Sequence, residues 1–411
     1  MPPWMTLSLL VTRADARLLP EYLRMPWTPT SGVAAKCPCA NASLCKTPTV
    51  QHQRELFGFS GDRWQDFDWN QVTTVAWADN ADVICKAHAN RARRIAAAPD
   101  LVFSSDPRER RQWIGRLIET MKRDFYDGVT FDYESPLDKT PGSSTFEKQK
   151  QYIALIKETT ENLHDAIPGS QTSVCVAWSP DDIDGRNYDY VSLVAAADLA
   201  YVMMYDTRSQ IYGKCVASAN SPLSITERGL ARYLDQGIPP EKLILGTPWY
   251  GYVYPCLNAG PQDDVCEIKL VPFRGVPCSD AAGWEVPFMN IMDLLDRNVC
   301  PGGIPAGSTC KVTTSLKWDE STQSPFFNFV VNSSKVHQVW FDDARSSALK
   351  YGVAKQMGLR GVGPYTWSDL DADGSVTGNP RAAAESKSMW GALHTFSEGK
   401  APGEYRLQMV V

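Results

Sequence analysis

The chain has 411 residues and a formal net charge of -6. That acidic balance argues against nucleic acid as the principal partner, and no apolar run reaches the ~18 residues needed to span a bilayer. With 43% hydrophobic and 10% aromatic residues, the composition is that of a folded globular protein, long enough for one large α/β domain or two medium ones. Residues 1–36 read as a leader and linker. Residues 4–11 form a short apolar stretch and Ala14-Asp15-Ala16 offers a cleavage site, although the basic start of a signal peptide is missing. A single domain is expected over 37–400.

Eleven cysteines point to an oxidising compartment. Cys175 lies in the apolar run 174–178 and is expected to be a buried free thiol, which leaves ten for bridges. Cys300 and Cys310 bound a Pro/Gly-rich segment that looks like a local disulfide loop; the other pairings stay open. No Cys-x2-Cys pair is matched by a His pair, so a zinc site is not expected, nor is any other metal or cofactor. Two sequons, at Asn41 and Asn332, fit a secretory route, lysosomal or extracellular.

From about residue 55 onward, strand-like runs alternate with helical ones. The strands are expected at 56–59, 72–77, 94–97, 128–133, 172–178, 199–205, 243–249 and 360–365. Between them, Trp113, Ile114, Leu117, Ile118 and Met121 recur at helical spacing, as do Tyr152, Ile153, Leu155, Ile156 and Leu163. Eight strands alternating with helices predict an α/β fold, a closed (β/α)8 TIM barrel. The runner-up, a doubly wound sheet, normally carries a glycine-rich phosphate loop that is missing here. Residues 251–318 hold five cysteines and interrupt the alternation. They read as a Cys-rich insertion after the seventh strand, at the face where barrel active sites lie.

The fourth strand carries the strongest chemical signal, Asp127-Gly128-Val129-Thr130-Phe131-Asp132-Tyr133-Glu134. Alternation places Thr130, Asp132 and Glu134 on one face and Val129, Phe131 and Tyr133 on the other. Two carboxylates on one face repel, and burying them is costly. Such a pair is tolerated where one carboxyl must stay protonated near neutral pH, as a general acid does. The spaced pattern Asp-Gly-x-x-x-Asp-x-Glu arises by chance in roughly 1 in 200 chains of this length. Aromatic and acidic groups recur at the other strand ends: Trp178 after the fifth, Met203, Tyr205 and Asp206 at the sixth, Trp249 and Tyr250 at the seventh, Tyr365 and Trp367 at the eighth. Rings among carboxylates suit a carbohydrate, which offers apolar C–H faces as well as hydroxyls.

These motifs resemble glycoside hydrolase family 18, the chitinase family. The fourth-strand octet matches its signature, and Met203-Met204-Tyr205-Asp206 matches its Met-x-Tyr-Asp. The resemblance is stronger to the branch acting on the chitobiose core of Asn-linked oligosaccharides. It runs through Cys37-Pro38-Cys39, Trp178-Ser179-Pro180, Ser209-Gln210-Ile211, Val271-Pro272-Phe273-Arg274-Gly275 and His337-Gln338-Val339-Trp340. It implies a retaining, substrate-assisted glycosidase, a recognised exception to the two-carboxylate scheme. Glu134 would be the acid and base, Asp132 the stabiliser of the substrate's acetamido group, and Tyr205 its positioner. Met203, Asp206, Trp178, Trp249 and Tyr250 would line the substrate site, and Asp127 and Thr130 would support the strand. Where many relatives carry a third carboxylate, this chain has Thr130, as chitobiose-cleaving members tend to have a neutral residue. Thr130 can donate a hydrogen bond to Asp132. Where the family has a tryptophan floor under the sugar, Tyr365 aligns directly, with Trp367 two residues on; either ring could serve. The expected partner is an N-acetylglucosamine oligosaccharide, met by a monomer. The alternatives are an endo-acting chitinase and a non-catalytic chitin- or glycan-binding lectin.

Overall fold

A computed structural model describes residues 36–50, 52–207 and 214–397. The leader signals at 4–11 and 14–16, and Ser209-Gln210-Ile211, lie outside the described residues. Eight parallel strands close into a barrel: β1 (Glu55–Phe59), β2 (Thr74–Ala76), β3 (Arg93–Ala97), β4 (Gly128–Phe131), β5 (Gln171–Val176), β6 (Leu199–Met203), β7 (Leu243–Pro248) and β8 (Gly361–Tyr365). Each pairs with its sequence neighbours, and β8 closes on β1 with Glu55 opposite Gly361. The (β/α)8 architecture expected from the alternation is therefore present.

Strand alternation divides the core in two. Phe57, Phe59, Ile95, Cys175, Tyr201, Met203 and Ile244 pack inside the barrel. Leu56, Val129, Phe131, Val174, Val202 and Leu245 face outward, under the helices. Tyr201 fits because residue 246 is glycine: a Cβ there would lie 2.3 Å from the ring. The outer layer forms by ordinary amphipathic logic. Helix Pro107–Asp124 starts where the Asp106 side chain accepts from the Arg108 N–H, with proline in the first turn. It buries Trp113, Ile114, Leu117, Ile118 and Met121 and ends at Phe125, which is left-handed. Among the described residues, no helix is long and apolar enough to cross a membrane.

The insertion after β7 is a six-stranded antiparallel sheet. It runs from strand Tyr250–Pro255 to strand Lys335–Trp340, well past residue 318. The hairpin formed by Ser324–Val331 and Lys335–Trp340 pairs onto Tyr250–Pro255, so the excursion closes only there. Five disulfides are present: Cys37–Cys45, Cys39–Cys85, Cys215–Cys278, Cys256–Cys266 and Cys300–Cys310. Cys175 is free and buried.

Candidate active site

A cavity of about 130 Å³ opens at the carboxyl ends of the strands. Asp132 and Glu134 from the end of β4, Met203, Tyr205 and Asp206 from β6, and Tyr365 from β8 line it. The insertion sheet adds Tyr250 and Glu285. Sequence order separates these groups by more than two hundred positions. The barrel gathers them because each follows the same end of a parallel strand.

Asp132 sits deepest. Continuing the β4–β5 register beyond Phe131 opposite Val174 sets Asp132 beside Cys175, whose thiol favours the ionised carboxylate. Asp132 Oδ1 is buried without a hydrogen-bond partner among the described residues. Burial first, and then the Glu134 charge, raise its pKa to about 7 against the opposing pull of Arg186. Glu134 is half exposed, and its Oε2 accepts from Arg186 Nη1 at 2.7 Å. The Tyr205 ring stacks on Tyr365, with centroids 5.5 Å apart. Asp206 Oδ1 accepts from the Tyr250 hydroxyl at 2.7 Å and the Tyr252 hydroxyl at 3.2 Å. Burial and the Asp280 charge nevertheless lift Asp206 to about 8.

The two supporting residues on β4 act away from the cavity's polar wall. Thr130 is buried and hydrogen-bonds Ser173 Oγ at 2.8 Å, not Asp132; the neighbouring strand offers the nearer hydroxyl. Asp127, at the opposite end of the strand, accepts from the Arg94 N–H and meets His88 Nε2, each at 2.7 Å.

Three expected substrate contacts are corrected. Trp178, Trp249 and Trp367 do not line the cavity; all three are buried in the outer core. Trp178 follows the end of β5 and lies between the barrel and helix Leu223–Asp235, where its carbonyl abuts Gly229. The Trp249 indole packs edge-on to Trp367 and Trp390. Trp367 stacks on Trp390 at 5.0 Å. Strand β8 ends at Tyr365 and a 3-10 turn begins at Trp367, so the two-residue alternation linking the rings is broken. Tyr365 alone of the pair faces the site.

Phe59, Trp77, Cys175 and Glu285 also line the cavity and were not expected there. Phe59 ends β1 and Trp77 directly follows β2, so the strand-end rule that flagged the others applies to them. Glu285 reaches the site only through the insertion's fold, and nothing local in its sequence marks it. As for metals, Asp66, Asp371 and Asp373 lie close enough to share an ion. Arg63 already bridges Asp66 at 3.3 Å and Asp371 at 3.2 Å.

The raised carboxyls make a stability prediction. A carboxyl whose folded pKa exceeds its unfolded value of about 4 binds its proton more tightly in the folded state. Asp132 and Asp206 therefore contribute fully below about pH 4, and that contribution is lost as pH rises toward about 7 to 8. Melting temperature should fall between about pH 5 and pH 8. Calorimetry across that range should show a shallower fall for Asp206→Asn; an equal or steeper fall in the variant would contradict it.

The sequence profile of Glycosyl hydrolases family 18 matches residues 101–371. Di-N-acetylchitobiase of Rattus norvegicus is 38% identical over 95% of this chain and 99% of its own length. The Homo sapiens di-N-acetylchitobiase is 36% identical over 87% and 88%. Among solved structures, the group IV chitinase of Ostrinia furnacalis in complex with allosamidin is 17% identical, with a TM-score of 0.59 over 83% of this chain and 98% of that one. At that identity the likeness establishes a shared fold. The chain belongs to glycosyl hydrolase family 18.

Proposed function

We propose that this protein is a retaining exo-glycosidase that cleaves N-acetylglucosamine β-1,4-linked to N-acetylglucosamine. Its substrate would be the chitobiose core of Asn-linked oligosaccharides, met in the lysosome by a monomer. The observation that carries the reading is the convergence of Asp132, Glu134 and Tyr205 on one cavity walled by aromatic rings. The 36–38% identity to di-N-acetylchitobiases supports the substrate class. Five disulfides suit an oxidising folding compartment.

In this reading Glu134 gives its proton to the glycosidic oxygen as the C1–O bond breaks. The substrate's acetamido oxygen forms the new bond to C1, giving an oxazolinium ion and releasing the reducing-end sugar. Asp132 Oδ1, buried and available as an acceptor, takes the acetamido N–H and stabilises the positive charge. The Tyr205 hydroxyl positions the acetamido oxygen. Met203 and Asp206 close the pocket and Tyr365 provides the floor. Glu134 then takes a proton from water as the water oxygen attacks C1 and the bond from C1 to the acetamido oxygen breaks. The nucleophile belongs to the sugar, so no second protein carboxylate is needed across the bond.

Oligomers of N-acetylglucosamine labelled at the reducing end provide the test. Stepwise release of labelled monosaccharide is expected. Internal cleavage into mixed lengths would replace the exo reading with an endo-acting chitinase. Binding without turnover would indicate a lectin.

A further inference from the structure

Glu134 is the acid in the proposed reaction, yet its carboxylate is held by a guanidinium. Arg186 Nη1 lies 2.7 Å from Glu134 Oε2, and the Arg186 side chain is only 7% exposed. Three further contacts fix that guanidinium and its backbone. Nη2 donates to Asp184 at 3.1 Å, Nε donates to the Ile183 carbonyl at 3.3 Å, and the Arg186 backbone pairs with Leu137 in a short parallel bridge. Glu134, by contrast, is 49% exposed, and this is the one hydrogen bond its carboxylate makes among the described residues. One partner is anchored and the other is free to turn. Arginine stays charged at any working pH, so the contact turns the Glu134 carboxylate toward a fixed cation, whereas a general acid must reach the leaving-group oxygen to act.

We propose that Arg186 is a positioning residue that parks Glu134 as a carboxylate at the cavity rim, and that Glu134 turns from it toward the glycosidic oxygen for the acid step. This inference rests on the proposed function above. Both half-reactions need Glu134 released: it gives its proton to the glycosidic oxygen in the first and takes one from water at the same place in the second. The proton resides on Asp132 while Glu134 is parked, and passes to Glu134 when it swings inward, leaving Asp132 charged beneath the substrate. The pair carries that one proton until Glu134 gives it to the glycosidic oxygen, and regains one when Glu134 deprotonates the attacking water.

The groups facing Glu134 come from several elements. Asp132 is on its own strand, and Cys175 follows on β5. Asp184, Arg186 and Tyr188 come from the segment after β5; the Tyr188 hydroxyl donates to the Tyr133 and Ser135 carbonyls that flank Glu134. Tyr205 and Asp206 follow β6, and Tyr365 ends β8. From the insertion, Glu285 shares the cavity and Arg274 Nη1 donates to the Glu134 carbonyl at 3.1 Å. Arg186 is the cation that touches the carboxylate itself.

The test is the pH profile of kcat/KM for Arg186→Met, Arg186→Lys and Glu134→Gln. Loss of the cation should move the alkaline limb upward by about one unit or more, since a neighbouring opposite charge shifts a carboxyl by roughly that amount. The shift belongs to the Asp132–Glu134 pair as a whole. Arg186→Lys should keep the limb near its original position. Arg186→Met/Asp184→Asn should keep the upward shift, which excludes the orphaned Asp184 charge as its source. A merely structural role would lower kcat and leave the limbs in place. An unmoved limb in a folded Arg186→Met enzyme, checked by thermal melting, overturns the inference while an inactive Glu134→Gln leaves the proposed reaction standing. Full activity in Glu134→Gln overturns both. If Arg186→Met fails to fold, Arg186→Gln carries the same test.

Discussion

Glu134→Gln should lower kcat at least about 100-fold while leaving KM nearly unchanged, because loss of a positioned general acid typically costs 10²–10⁴-fold. Glutamine keeps the size of the side chain and can still face Arg186, but it has no proton to give. The half-exposed position of Glu134 makes the substitution safe for folding, so a loss of rate reads as chemistry. Asp132→Asn should also be slow, for a different reason. Its deep carboxylate would no longer stabilise positive charge beside the acetamido group. The two residues act as a unit, so the double variant should be little worse than the worse single one. Steady-state kinetics on a chitobiose-containing glycan decide the matter. Retention of activity within about tenfold would remove Glu134 from the acid role.

Lys350→Met should destabilise the fold by about 3–5 kcal/mol, the usual result of stranding one charge of a buried pair. Lys350 on helix Ala344–Gln356 meets Asp342 at 2.5 Å, and both side chains are almost wholly buried. Burial pushes the lysine pKa down and the aspartate pKa up, and their mutual attraction opposes both. The pair joins the end of the insertion sheet to the helix that returns the chain to β8. Lys350→Met/Asp342→Leu should recover most of the loss, since matched apolar groups often replace such a pair without cost. Denaturant unfolding of the three proteins measures it. A double variant as weak as Lys350→Met would show that the ion pair itself, not the stranded charge, sets the penalty.

The barrel was legible because its two periodicities are local. Each strand is a short β-branched or aromatic run, and each helix repeats an apolar stripe. The acid pair on β4 was legible for the same reason, since Thr130, Asp132 and Glu134 are two residues apart. The tryptophans show where the reasoning stops. Trp178 and Trp249 follow the last paired residues of their strands, and Trp367 lies past a 3-10 turn, so alternation no longer says which way they face. Arg186 and Glu285 were invisible for a different reason. Each acquires its meaning from a contact across more than thirty residues, and charged residues in loop-like sequence are ordinary. Cys175 was read correctly as a buried thiol. Its place beside Asp132 needed the strand register.

The cavity has two architects. The barrel supplies Asp132, Glu134 and Tyr205, and the antiparallel sheet leans over it with Tyr250, Glu285 and the Arg274 contact. The walls of the cavity thus come from two separate pieces of chain. The sheet has its own apolar centre of Tyr252, Tyr254, Phe326 and Trp340, and the Cys256–Cys266 and Cys300–Cys310 clasps hold its edges. A new sheet could retune which glycan is gripped while the reacting trio stayed untouched.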